Sequence, residues 1–482
     1  MVSSAVSRSK SPNNPRNRAL SPTYNDTTGN RITIPPTGMT PSTTDTAYAA
    51  YNHRRDNLVR ELREWDQSQP IGLNKTTSNL FRARSEGSKR RIDVREFNYV
   101  LNVNRGALVA DVEGMTTYED LVDATLRHHV LPAVVPQLKT ITLGGAVSGL
   151  GIESSSFRYG LVHETVEEME IMLGDGSAVI CSPAQNPDLF YGFPNSYGTL
   201  GYALRINVKL VPAKKYVRLV HRCYSDLSRL LAELAATCAE RHFDFVDGVV
   251  FNRGESYITT GEFVDYAPYK SDYTYLNIYY RSIQKRELDY LTAKDYIWRW
   301  DTDWFWCSKV FHAQNPMVRA LAGRRFLNSR TYQSIMRWSR KLPLKSNTES
   351  VIQDVDIPIE HAPGFADFLL REIGILPIWL CPFKAYDPAA RFTLCPVEPN
   401  KLYVNFGFWD GLPSAGVDGF YNRKIERMAL HLRGVKGLYS SSYYDEEMFW
   451  NIYDRESYQA LKEKYDPNRR FRDLYEKTVL KM

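Results

Sequence analysis

No run of about 18 or more apolar residues occurs in the 482-residue chain, so an apolar transmembrane helix is excluded by length. There is no Cys-x-x-Cys pair either. The six cysteines (Cys181, Cys223, Cys238, Cys307, Cys381, Cys395) lie far apart, so neither a zinc site nor a disulfide framework is indicated and no metal is expected. A reducing compartment follows. Gly-Lys-Ser/Thr is missing, and with it a Walker A loop. Charge of one sign is also lacking: 61 basic and 55 acidic residues leave a net charge of +6. That balance excludes a dedicated nucleic-acid binder and tolerates an anionic cofactor or an anionic membrane surface. The expectation is a cytoplasmic protein able to sit peripherally at a membrane; oligomeric state is not readable.

The composition is 43% hydrophobic and 24% charged, ordinary for a globular protein, with a high aromatic share of 13%. Length suggests two or three domains of roughly 100–200 residues. The first 38 residues are rich in Ser, Thr, Pro and Asn, and a disordered tail is expected over 1–46. They are basic and nearly acid-free, as a transit peptide is, but Pro12, Pro15, Pro22, Pro35 and Pro36 oppose an amphipathic helix. From there Tyr48, Tyr51, Leu58, Leu62 and Trp65 recur at mostly three- and four-residue steps, predicting a helix. Residues 95–135 read as strand, turn, strand and helix, with Thr116 or Thr117 as the cap. Residues 166–182 read as a hairpin about a Gly-Asp-Gly turn, and Leu204, Ile206, Val208 and Leu210 alternate along a strand closed by Pro212. Further on, 225–242 and 362–374 read as helices, and 375–383 and 403–411 as strands. This is an α+β pattern rather than a regular βαβ series.

The stretch TITLGGAVSGLGIESSSFRYG, residues 140–160, holds five glycines and a Ser triplet. A Rossmann fingerprint needs a third spaced glycine and a following helix, and GLGIES (149–154) has neither. Two readings stay open from composition: a tight loop without a ligand, and a non-Rossmann cradle in which backbone N–H groups and hydroxyls surround a pyrophosphate.

Taken with LGDGS, NPDLFY and GTLGY downstream, this stretch resembles the FAD-binding domain of the vanillyl-alcohol-oxidase (PCMH) type. Within that superfamily the chain is similar to the 24-dehydrocholesterol reductase/Diminuto-like family over about residues 55–475, through FVDGVVF, PIWLCPF and LYSSSYYDEEMFW. YIWRWDTDWFW (296–306) looks more like bacterial members associated with reducing methylene-branched fatty acyl chains. The resemblance implies a two-subdomain FAD-binding domain at 47–215, an α+β substrate (cap) domain at 216–455, and a segment at 456–482 returning to the FAD domain. It implies that Thr142, Leu143, Gly144, Gly145, Gly149, Gly151 and Ile152 line the pyrophosphate, with Glu153 turned away or on a ribose hydroxyl. Ser154, Ser155 and Ser156 would add hydroxyls, and Gly198, Thr199 and Gly201 would close around the flavin. GLNKTTSN (72–79) takes the place of the first cofactor loop without its usual Gly-Gly-His. With no His or Cys there and Phe at position 157, non-covalent FAD is expected.

The implied activity is reduction of a carbon–carbon double bond of a lipid, on a methylene-branched fatty acyl chain or a sterol side chain, with NADPH as transient reductant. A proton donor in a dry pocket is required. Tyr443 and Glu447 match shared family positions, against the plainer readings of a core tyrosine and a surface carboxylate. Trp298, Trp300, Trp304, Phe305 and Trp306 read equally as a lipid pocket or membrane edge and as core packing. Arg299, Asp301 and Asp303 among them predict one wet face. Cys381 reads as a buried small apolar residue. The rival functions are an FAD oxidase using O2 on an alcohol-type substrate and a non-enzymatic lipid-binding protein.

Overall fold

The computed structural model describes residues 24–25, 31–32, 43–75, 81, 90–339 and 347–481. Residues 1–49 form a unit of their own. Its described part is a short antiparallel pairing of Tyr24–Asn25 with Arg31–Ile32 and the start of helix Thr43–Glu64; the rest of the expected tail lies outside the described residues. The predicted helix buries Tyr51, Leu58 and Leu62, and Trp65 just beyond its end is buried too.

Two large sheets and a two-stranded parallel one, Ile71–Asn74 with Arg90–Asp93, organise the described part of residues 50–482, and the expected α+β class is observed. In the first, the order is Val100–Asn104, Val109–Glu113, Tyr202–Pro212, Val166–Met172, Ala178–Cys181, all antiparallel, with Val130–Pro132 on the far half of the central strand. Leu204, Ile206, Val208 and Leu210 bury one face of that strand, as their alternation predicts. Arg205 on the other face meets Asp111, Glu168 and Glu170. Helix Tyr118–Leu126 starts where Thr117 accepts the Asp120 amide, with Glu119 and Asp120 in the first turn.

The second sheet has eight strands in the order Leu288–Thr292, Tyr216–Tyr224, Glu255–Val264, Phe245–Asn252, Ile378–Lys384, Leu402–Pro413, Thr348–Pro358, Val435–Lys436. Helices Leu227–Glu240, Ala362–Phe368 and Phe420–His431 cover one face through Leu230, Leu234, Phe365 and Ile425. The alternation of side chains in a strand sends Trp379, Trp409 and Asp354 to the opposite face, where the aromatic stretch 296–306 packs. Near the C-terminus, Lys462 in helix Arg455–Tyr465 donates to Thr199 O (2.8 Å), Phe471 O (2.7 Å) and Asp466 (2.6 Å), tying this helix to the Gly198–Gly201 turn.

Candidate active site

A cavity of about 640 Å³, of the size that holds a cofactor or drug-sized ligand, lies where the two sheets' loops meet. The glycine stretch makes one wall. Contrary to a plain loop, its first half is helical: Leu143–Ser148 forms a short turn because Thr142 Oγ1 accepts the Gly145 amide at 3.2 Å. Thr142, Gly145, Gly149, Gly151 and Ile152 line the cavity, as do Gly198 from the downstream turn and Gly72, Leu73 and Lys75 from the first loop. The first part of that expected loop is a strand, Ile71–Asn74, paired in parallel with Arg90–Asp93, and Thr76, Thr77, Ser78 and Asn79 lie outside the described residues.

The remaining expected cofactor residues do not line this cavity, and each makes contacts within the fold. Leu143 is fully buried. Gly144 is needed because a Cβ there would sit 2.8 Å from Gly114 O, and Gly201 because one would sit 2.7 Å from Met172 O. Ser155 donates to Ala133 O, Ser156 Oγ accepts the Glu153 amide, and Thr199 donates to Ser196 O. Ser154 bonds Glu153 and the Tyr296 hydroxyl. Glu153 does not line the cavity; its Oε1 pairs with Arg299, which also holds Asp247, both at 2.8 Å. Burial raises both carboxyls above their usual range, opposed by the guanidinium.

The predicted wet face of 296–306 is absent. Arg299, Asp301 and Asp303 are all buried, because each has an internal partner: Asp301 accepts from Ser329 and the Lys139 amide, and Asp303 from Arg319 and Ser308. Trp298, Trp300 and Trp306 are core. Trp304 and Phe305, consecutive residues at φ 44° and 56°, line the cavity. Left-handed backbone at two bulky residues is costly, and strain of this kind concentrates at functional sites. Phe305 packs edge-on to Trp409 at 4.7 Å and against Trp379 at 5.6 Å; Phe81 meets Trp304 and Tyr439 at 5.7 and 5.8 Å.

Among the described residues, this aromatic part of the wall holds one carboxylate, Asp354. Across the strand pair it faces Gly407, where a Cβ would sit 2.8 Å from its Oδ1 and 3.2 Å from the Trp379 and Trp409 rings. Burial pushes Asp354 up to about 6, while a hydrogen bond from Tyr439 pulls it down. Burial and Asp354 hold Tyr439 well above its ordinary value. The other part of the wall is cationic, with Lys75, Arg91, Arg472 and Lys477, and Lys477 donating to Gly198 O at 3.3 Å. Buried polar atoms of four lining residues lack a partner among the described residues: Gln137 Nε2, Asp354 Oδ1, Trp409 Nε1 and Arg472 Nε. Such orphans imply a ligand that completes them. An anionic dinucleotide with a flat ring system fits a wall that is glycine-lined and cationic at one part and aromatic at another.

The expected proton donors, Tyr443 and Glu447, are not among the residues that line this cavity. Tyr443 is half-buried against the Arg423 guanidinium, its hydroxyl 3.5 Å from Asp418. Glu447 is exposed in the first turn of helix Glu446–Ile452, where a carboxylate complements the helix dipole. Asp354 and Tyr439 line the cavity instead. The sequence signal for Asp354 was one of three acidic residues on the alternating strand Thr348–Pro358, with Glu349 and Asp356, and nothing local distinguished it from a solvent-facing one.

Residues 66–182 match the sequence model of the FAD binding domain family. The Delta(24)-sterol reductase of Homo sapiens is 30% identical over 363 residues, covering 71% of this chain and 69% of that protein. The Delta(24)-sterol reductase of Arabidopsis thaliana is 26% identical over 439 residues, covering 80% and 76%. Cytokinin dehydrogenase 7 of Oryza sativa subsp. japonica is 33% identical over a shorter 155 residues, 31% of this chain and 30% of that protein. With its FAD-binding module and an aromatic cavity built against it, the chain belongs to the Delta(24)-sterol reductase family of FAD-dependent oxidoreductases, which act on a carbon–carbon double bond.

Proposed function

We propose that the cavity is where the protein reduces a carbon–carbon double bond of a lipid, on a sterol side chain or a methylene-branched fatty acyl chain, with NADPH as transient electron donor and FAD held non-covalently. In this reading 47–215 is the FAD-binding domain, 216–455 the substrate domain, and 456–482 a segment returning to the first. Bound and reduced there, FAD would supply the hydride for one alkene carbon. The protein's residues supply the rest. Thr142, Gly145, Gly149, Gly151 and Gly198, with Lys75, Arg472 and Lys477, hold the anionic cofactor; Ile152 closes that wall. Trp304, Phe305, Trp379 and Trp409 exclude water and wrap the apolar chain. The other alkene carbon takes a proton, which balances the hydride and leaves a saturated C–C bond. The single observation that carries the reading is Asp354: a carboxyl pushed up to about 6 inside an aromatic wall, hydrogen-bonded by Tyr439 and with Oδ1 unpartnered among the described residues. A carboxyl tuned near the working pH is a competent general acid. Cys307, the cysteine among the lining residues, is kept a neutral thiol by burial, which supports non-covalent FAD.

The cytokinin dehydrogenase match, confined to 31% of the chain, favours one rival: oxidation of a substrate on the same flavin fold, with O2 as one acceptor to test. Anaerobic reduction by NADPH followed by mixing with O2 or with an unsaturated lipid separates the two. The proposal expects slow reoxidation by O2 and fast reoxidation by lipid; the reverse order rejects it. A purified protein with no flavin absorbance even after incubation with FAD rejects both in favour of a lipid-binding protein.

A further inference from the structure

The short helix Pro316–Ala322 is amphipathic in the inverted sense. Its one charged residue, Arg319, is fully buried, bound to Asp303 and to the carbonyls of Tyr275, Ala313 and Asn277. The buried guanidinium pins the inner face and so turns the apolar side chains outward. Leu321 is 87% exposed and Met317 74%. Leu276, beside the residues that Arg319 holds, is 51% exposed, and Phe326, after the helix, 58%. A side chain left in water to this extent has lost the burial that normally stabilises it, and a cluster of them marks a contact surface.

The charge around this surface identifies the contact. From Trp304 to Ser339 the sequence has six basic residues and no acidic one. Arg324, Arg325 and Arg330 are exposed beside the apolar group; Arg324 pairs with Asp272 at 2.7 Å and Arg330 with Glu119 at 3.1 Å, both in solvent. Exposed pairs of this sort are weak and exchange readily for another anion. Apolar side chains that insert, ringed by arginines that meet phosphates, form the chemistry of an interfacial lipid-binding face. The same segment reaches the cavity. In helix Ser329–Ser339, Tyr332 stacks on Trp304 at an interplanar angle of 5°, Gln333 lines the cavity and bonds Thr140, and Ile335 faces out.

We propose that Leu276, Met317, Leu321 and Phe326, with Arg324 and Arg325, dock the protein on an anionic phospholipid bilayer and set the cavity wall at Gln333 against the lipid that supplies the substrate. The second half of this statement rests on the lipid-reductase reading; the docking does not.

Co-sedimentation with two vesicle types tests it: pure phosphatidylcholine, and equal parts phosphatidylcholine and phosphatidylglycerol. The expected result is binding to the anionic vesicles that weakens as salt rises. Arg325→Ala weakens it about fivefold, the effect of one basic residue at an anionic surface. Leu321→Asp with Phe326→Asp weakens it at least about tenfold, from lost apolar insertion. Both variants keep wild-type flavin content and wild-type turnover of detergent-dispersed substrate, since none of these side chains lines the cavity. Binding to anionic vesicles that neither variant alters overturns the proposal. So does a wild-type dimer in sedimentation that Leu321→Asp dissociates, because a second copy then covers this surface. Vesicle binding as expected without reduction of any lipid leaves the docking standing and rejects the function.

Discussion

Glu153, the one carboxylate of the glycine stretch, lies 2.8 Å from Arg299 of the tryptophan-rich segment, and that pairing joins the two sheets' contents behind the cavity wall. Arg299 holds Asp247 equally closely, and its guanidinium sits 4.0 Å over the Tyr296 ring. Two buried carboxyls share this one cation, which leaves no spare positive charge. Arg299→Met should therefore strand both carboxylates and lower stability by about 3–5 kcal/mol. Urea unfolding of the purified variant checks this; a loss below about 1 kcal/mol would mean the carboxylates protonate at no cost.

Asp354→Asn keeps the size of the side chain and removes the proton. Turnover should fall about 10²–10⁴-fold, the usual contribution of a general acid. FAD content should not change. The wild-type rate requires the protonated carboxyl, so it should decline as pH rises through about 6, and the residual rate of the variant should lack that decline. Stopped-flow reoxidation of the reduced protein by lipid, measured across pH, reads both effects. An unaltered pH profile in the variant removes Asp354 from the reaction.

Arg472 Nε is buried beside the cavity with no partner among the described residues. A charge-assisted hydrogen bond is worth about 1.5–3 kcal/mol. Arg472→Ala should then weaken FAD binding by roughly ten- to hundredfold. Flavin fluorescence titration of the apoprotein measures it, with far-ultraviolet circular dichroism as the control on folding. Equal affinities in the two proteins would place the anionic cofactor elsewhere.

Asp356 is two residues from Asp354, and burial raises it from the ordinary 3.8 to about 7, with a hydrogen bond from Asn405 opposing at 2.7 Å. A carboxyl whose folded value is raised binds its proton more tightly when folded. Its stabilising contribution is present below 3.8 and is lost as pH rises through about 7. Asp356→Asn should accordingly be more stable than wild type above about 7, with the advantage vanishing below 3.8. Chemical unfolding of both proteins at several pH values gives the difference directly, and a constant difference would contradict the assignment.

Much of the local structure was legible in the chain. Thr117 caps the helix it was expected to cap, and residues 204–210 bury alternate side chains because a strand must. The glycine stretch announced a concave wall, and Thr142, Gly145, Gly149, Gly151 and Ile152 do line one. These depend on spacings of two, three or four residues, which the sequence displays. What it could not display is which distant residue satisfies a buried charge. Arg299, Asp301 and Asp303 looked wet because their partners Glu153, Ser329 and Arg319 are 16 to 146 residues away. The same distance hid the acid of the cavity: Asp354 faces it only because Gly407 leaves room across the sheet and Tyr439 arrives from another strand's end. Tyr443 and Glu447, four and eight residues beyond Tyr439, carried the more suggestive motif and fell outside the cavity. Periodicity specifies which face of an element is apolar; only packing decides which polar group that face encloses.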